Sequence, residues 1–370
     1  MTEWTGEARL AYLALSQVPG IGASRLNALL ERFKSASAVL QAPAADLKHV
    51  EGISRAAATA IAHADLAVAN RVLVELEALG GRMLLPDDLL FPELLRNIGD
   101  PPTCLFALGK LELLTQPAVA IVGSREHSHY GAEVCEAVAR AAAQAGLVVV
   151  SGMARGLDAV AHRGALAGGG ATIGILGNGL GVIYPAANRR LYHAVAEQGL
   201  LLTEFPPGER PSAGSFQRRN RLISGLARVT LIVEAAKTSG ALLTAQYALD
   251  QGREVLAVPG PITSPVSAGA NRLIRDGAAP LLELDDLLRY YAEIAPATGP
   301  SSSWSAAPAP LERRLLNALQ IEPLLTEQLV EQVGAPVVET LDALAALELG
   351  GQVRLELGGR YRLVAAGLFR

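Results

Sequence analysis

The residues best suited to chemistry lie in FQRRNRLISG, Phe216 to Gly225. Phe216, Arg218, Arg219, Asn220 and Arg221 fall within six residues, and this run contains no acid. A guanidinium fork matches phosphate oxygens, and a flat ring offers a face on which a nucleobase stacks. Two further runs carry related chemistry. VAIVGSR places Gly123, Ser124 and Arg125 at the end of an apolar stretch. VVVSGMARGLDAVAH does the same with Ser151 and Gly152, followed by Arg155, Asp158 and His162. A third, VTLIVEAAKTSGALLTA, brings Glu234, Lys237, Ser239 and Gly240 to the start of a helical pattern, with Thr244 inside it. Each reads as a buried strand entering a glycine-containing turn and then a helix. That geometry binds anions on backbone N–H groups. The Gly123-Ser124-Arg125 turn lacks both GxGxxG and the Lys-Ser/Thr of a P-loop, which disfavours a dinucleotide or ATP site there. Asp158 and His162 share a helix face at i, i+4, a spacing open to acid–base work or to plain packing. No nucleophile or set of metal ligands accompanies them.

The elements that must hold these turns are legible. Apolar runs recur at 118–123, 147–152, 171–177, 200–205, 229–235 and 254–260, separated by amphipathic stretches. Strands apolar on both faces and alternating with helices predict an α/β fold, a doubly wound and mostly parallel sheet over residues 80–292. Ligands of such sheets sit at the carboxyl ends of the strands, where all of these turns fall.

Residues 1–75 read as a small helical domain. VPGIGASRLNALLERF has a Pro-Gly turn leading into helical spacing, and HVEGISRAAATAIA repeats the layout. The first turn (Gly20, Ile21, Gly22) matches a helix-hairpin-helix, a module that presents N–H groups to a DNA phosphate. The second reads Gly52, Ile53, Ser54. Duplex DNA is therefore a candidate partner of this domain, and a helical packing or dimer module is the alternative. Residues 294–310 form a Pro/Ala/Ser linker. From 311 to 370, two helical patterns precede VRLEL, a Gly-Gly turn and RYRLV, the order of a winged helix. This segment has six Arg and eight acids. A DNA-reading wing is normally basic, so a protein-interaction module stands beside the DNA reading.

Bulk composition narrows the class. Half of the 370 residues are hydrophobic, 18% are charged, and the net charge is −4. A nucleic-acid binder of this charge must concentrate its cations. Between Arg189 and Arg228 there are seven Arg against three Glu. The two cysteines, Cys104 and Cys135, are far apart, which fits a reducing cytoplasm and no structural zinc or disulfide frame. The start of the chain is not a signal peptide, and no run reaches membrane-spanning length.

Taken in order, GSR, SGxARGLDxxAH, the Tyr184-Pro185 turn, FxxRNRxISG, EAxxxSGxLxTAxxAxxxGRxVxAxPG and a last motif (Gly269, Asn271, Leu273, Ile274, Gly277, Ala278) resemble the DNA processing protein A family, DprA or Smf. The resemblance covers residues 80–280. It implies an extended Rossmann-like core with a helical N-terminal domain and a winged helix. It implies sequence-independent binding and protection of single-stranded DNA, loading of RecA recombinase in natural transformation and recombination, and a homodimer formed through the Rossmann-like domain. It implies no enzymatic activity, cofactor or metal. Carried over by position, the DNA site comprises Gly123, Ser124, Arg125, Phe216, Arg218, Arg219, Asn220, Arg221, Lys237, Ser239, Gly240 and Thr244. Four cations meeting phosphates would give a log–log salt slope near −3 on single strands, at about −0.7 per contact. The rival is a nucleotide-processing enzyme of the phosphoribohydrolase kind, using Arg125, Asp158 and Glu234. Its PGGxGTxxE turn is not matched by EAAKTSGALLTA.

Overall fold

The computed structural model describes residues 6–212, 214–291, 310–320, 322–356 and 358–364. Of the linker read at 294–310, all but Pro310 lies outside them, and Pro310 opens a helix. The six apolar runs form strands β3 (Ala118–Val122), β4 (Val148–Ser151), β5 (Thr172–Ile175), β6 (Leu200–Thr203), β7 (Val229–Ile232) and β8 (Glu254–Ala257), all mutually parallel where they pair. Three further strands complete the sheet: β1 (Arg82–Leu84), β2 (Leu105–Gly109) and β9 (Ala279–Pro280). The order is β1-β2-β6-β5-β4-β3-β7-β8-β9, with β1 and β2 antiparallel at one edge.

Why β3 sits in the middle follows from its residues. All five are buried. Val119 and Ile121 face a core that includes Val134, Val138 and Leu231, while Ala120 and Val122 face another with Ile175, Leu222 and Ile232. Side chains alternate across a strand, so an uninterrupted apolar run demands cover on both faces. After β3 the chain winds outward through β4, β5 and β6, then returns to β7 on the other side. The carboxyl ends of β3 and β7 therefore flank the switch point of the sheet, where a crevice must open.

The N-terminal domain is a cluster of short helices. Gly20 (φ 81°) and Gly52 (φ 78°) occupy equivalent turns, each just ahead of a helix, Ala23–Phe33 and Arg55–Ala62. Arg25 reaches back to the first turn, its guanidinium donating to the Gly20 carbonyl at 2.5 Å. The domain shares an apolar core with the sheet edge, since Leu13, Leu26 and Ile61 join one cluster with Met83, Phe106 and Leu201. The Arg9–Asp88 pair, 2.9 Å, ties its first helix to the loop after β1. At the other end, three helices (Pro310–Leu319, Thr326–Val333, Val337–Leu349) and a three-stranded sheet, β10 (Leu324–Leu325), β11 (Val353–Leu355) and β12 (Arg360–Leu363), make a winged helix with its own core. Among the described residues no single helix is long and apolar enough to cross a membrane. Cys104 and Cys135 are buried thiols, and burial pushes Cys104 up to about 11. Neither is poised as a nucleophile.

Candidate nucleic-acid groove

The Gly123-Ser124-Arg125 turn caps β3. Ser124 N–H donates to the Glu234 carbonyl just beyond the end of β7 (2.8 Å), joining the two strands that flank the crevice. Its hydroxyl accepts from Glu126 N–H (3.1 Å) and donates to the Glu126 carbonyl, so the serine, only 8% exposed, closes the turn from within. Arg125 is left exposed. Gly156 (φ 77°) docks the next helix, Leu157–Ala167, against this turn. A Cβ on Gly156 would lie 2.4 Å from the Ser124 carbonyl oxygen and 2.6 Å from that of Arg125. Both the left-handed backbone and the contact exclude a side chain. Gly156→Val should therefore displace Arg125 and lower the unfolding midpoint, measurable by thermal melting alongside oligonucleotide binding.

The Ser215–Gly225 helix has two chemically different faces. Phe216, Arg219 and Asn220 turn toward the crevice. The Phe216 ring lies 5.9 Å from the Arg125 guanidinium carbon and 5.4 Å from the Tyr184 ring, tilted by 36°. Asn220 bridges to the Gly240 carbonyl at 3.3 Å. Arg218 and Arg221, three residues apart, share another face, and both pair with Glu204 beyond the end of β6. Arg221 Nη2 donates to it at 2.6 Å and Arg218 Nε lies 2.9 Å away. Asp100 takes Arg221 Nε at 3.1 Å. The helix contains no acid, but its neighbours supply two. Arg221 is buried and committed to them.

One groove of about 1020 Å³ gathers Gly123, Ser124, Arg125, Phe216, Arg219, Asn220, Lys237, Ser239, Gly240 and Thr244. Arg218 and Arg221 are not in its lining. Residues outside the sequence-derived site join it, among them the exposed Arg155 and Gln217. A side pocket of about 220 Å³ opens between Arg125, Arg155, Tyr184 and Phe216. Arg155 was visible in the sequence as the residue before Gly156, at the same end of the sheet as the GSR turn. Ser239 accepts from Ala241 N–H at 3.3 Å at the start of the Ala241–Asp250 helix, with Lys237 exposed beside it.

The floor of the groove is a buried charge pair. Arg219 lies against Gly152, where a Cβ would sit 1.7 Å from Nη1, and it donates to the Ile175 carbonyl at 3.0 Å. Burial lowers its pKa to about 10, countered by the nearby Asp158 carboxylate. Burial likewise raises Asp158, against the pull of Arg219 and of backbone N–H groups at Ala154, Gly123 and Gly152. Asp158 thus fastens the β3 and β4 turns together. Glu234 is also engaged. Its carboxylate accepts from Ser128 N–H (2.9 Å) and Ser128 Oγ (2.5 Å), ahead of the His129–Gln144 helix.

His162 is fully buried and neutral for a geometric reason. Thr172 Oγ1 donates to the Val149 carbonyl (2.6 Å) and so accepts from His162 Nδ1–H (2.6 Å), which leaves Nε2 to accept from Met153 N–H (3.4 Å). A proton on Nε2 would face another donor. Burial, with the positive Arg219 and Arg163 adding to it, lowers the pKa from 6.5 to about 3. The unfolded chain therefore binds a proton that the native chain refuses as pH falls from 6.5 toward 3. Stability is lost across that window. His162→Gln should show a shallower loss of denaturation midpoint between those limits than the wild type.

A doubly wound sheet with a crevice lined by cationic side chains at its switch point, joined to a small helical module and a winged helix, defines a Rossmann-like architecture. The chain belongs to the family described as DNA recombination-mediator protein A, which it matches over residues 82–292, more than half its length. Residues 12–64 match a SAM-like helix-hairpin-helix tandem and residues 299–359 a DprA winged helix domain. It is 41% identical over 280 residues to Protein Smf of Escherichia coli (strain K12), covering 72% of this chain and 74% of that one. The X-ray structure of DNA processing protein A from Streptococcus pneumoniae is similar, with a TM-score of 0.66 and 34% identity, over 77% of this chain and 98% of that one. The DNA processing protein A of Helicobacter pylori, described for its single-stranded DNA binding mode, aligns with a TM-score of 0.53 and 29% identity, over 58% of this chain and 97% of that one.

Proposed function

We propose that the chain binds single-stranded DNA in the groove, without sequence preference, and delivers it to RecA recombinase in natural transformation and recombination. The observation that carries this reading is that exposed Arg125, Arg155 and Lys237 line one groove with Phe216 at the switch point of the sheet. Arginine and lysine meet phosphates, and the ring stacks a base. None of these contacts reads a base edge. The resemblance to the DprA/Smf family is what supports RecA as the recipient and a homodimer through the Rossmann-like domain. The protein works in the cytoplasm as a binder, without catalysis or cofactor. The helix-hairpin-helix turns at Gly20 and Gly52 favour a second, duplex contact on the N-terminal domain.

Three exposed groove cations, rather than the four arginines and lysines counted from sequence, set the expected salt dependence. At about −0.7 per phosphate, the log–log slope for oligo-dT should be near −2 per site. Fluorescence anisotropy with labelled oligo-dT and a matched duplex across a salt series measures it. A slope near zero would remove the electrostatic mechanism. The nucleotide-enzyme alternative requires free Asp158 and Glu234, and both are held in structural contacts. Incubation with nucleoside monophosphates should release no free base.

A further inference from the structure

The helix-turn-helix half of the winged helix is acidic where a DNA-reading element needs cations. Residues 326–349 contain Glu327, Glu331, Glu339, Asp342 and Glu348 and no Lys, Arg or His. In such a unit the second helix is the one presented to a groove. Here that helix is Val337–Leu349. Its inner side, Leu344 and Leu347, is fully packed in the domain core. Its outer side sets exposed apolar residues beside the exposed Glu339, Asp342 and Glu348: Val337 is 54% exposed, Val338 70% and Leu341 43%. Val337, Leu341 and Ala345 recur every four residues and so form one stripe, with Val338 beside them and Asp342 at its edge.

Charge decides among the occupants of this stripe. Duplex DNA carries one negative charge per roughly 1.7 Å and would be repelled by five carboxylates. A second copy packed through the same face would set those carboxylates against themselves. A cationic partner gains from both the apolar stripe and its rim. We propose that this helix is a docking site for an amphipathic helical segment of another protein, with apolar anchors flanked by Lys or Arg. The proposal is independent of the DNA groove.

The test uses the full chain carrying a photo-crosslinking residue at position 338. The probes are a labelled Leu/Lys amphipathic helical peptide, its Leu/Glu counterpart and a labelled duplex oligonucleotide. The Leu/Lys peptide should bind saturably and crosslink at 338. Leu341→Asp should weaken it by about tenfold, and the double change Glu339→Lys, Asp342→Lys should weaken it similarly while admitting the Leu/Glu peptide. The substituted side chains are exposed, and an unchanged unfolding midpoint confirms an intact domain. Crosslinking of duplex in place of peptide would overturn the proposal. So would a molar mass by light scattering that falls on Leu341→Asp, or peptide binding that neither variant weakens.

Discussion

Arg125→Ala should weaken oligo-dT binding by about thirtyfold, close to 2 kcal/mol, the range of a charge-assisted hydrogen bond. On the proposed reading the side chain has two jobs in the groove. It projects from a turn fixed by Ser124 and Gly156, and it lies 5.9 Å from the Phe216 ring, so its loss frees the ring as well as removing a charge. The salt slope should fall by about 0.7 if one phosphate contact disappears. Arg125→Lys separates the two effects. It keeps the charge, and hence the slope, but loses the planar fork that meets a phosphate and stacks on a ring. Its affinity should lie between wild type and Ala. Phe216→Ala should cost about 1–3 kcal/mol with no change in slope, because stacking releases no counterions. Unaltered affinity in Arg125→Ala would place the DNA elsewhere on the molecule.

Much of this was readable from the chain because it rests on local pattern. The six apolar runs are strands because a run buried on both faces has few other solutions, and the turns after them had to share one end of the sheet. Arg155 lies inside a recognised motif, SGxARGLDxxAH, and needed only that same reasoning. The short strands were not legible. Arg82–Leu84 and Ala279–Pro280 are too brief to show a period, and the second contains a proline. The division of the arginine run was half legible. Residues 218 and 221 had to share a helix face by spacing alone, but which face met the groove depended on Glu204, a residue from a different strand end. No local pattern reveals a partner brought in by the sheet. The absence of acids holds for the run itself, and the acids that pair with it, Glu204 and Asp100, come from other elements.

The buried contact with Arg221 makes Glu204 the position with the largest expected effect on stability. Its side chain is 3% exposed and that of Arg221 is 6% exposed, with 2.6 Å between them. Removing one partner of a buried pair leaves the other charge in a low-dielectric site, which costs about 3–5 kcal/mol. Asp100 offers Arg221 only partial relief, since it is 69% exposed and screened by water. Glu204→Gln should therefore lower the denaturant midpoint strongly, while Arg218, 58% exposed, recovers water and adds little to the loss. Replacing both members, Glu204→Leu with Arg221→Leu, removes the stranded charge and should restore most of the stability. The same double variant tests the division of the helix faces. If Arg221 held a phosphate, its oligo-dT salt slope would fall by about 0.7; with Arg221 serving only Glu204 and Asp100, the slope stays at the wild-type value.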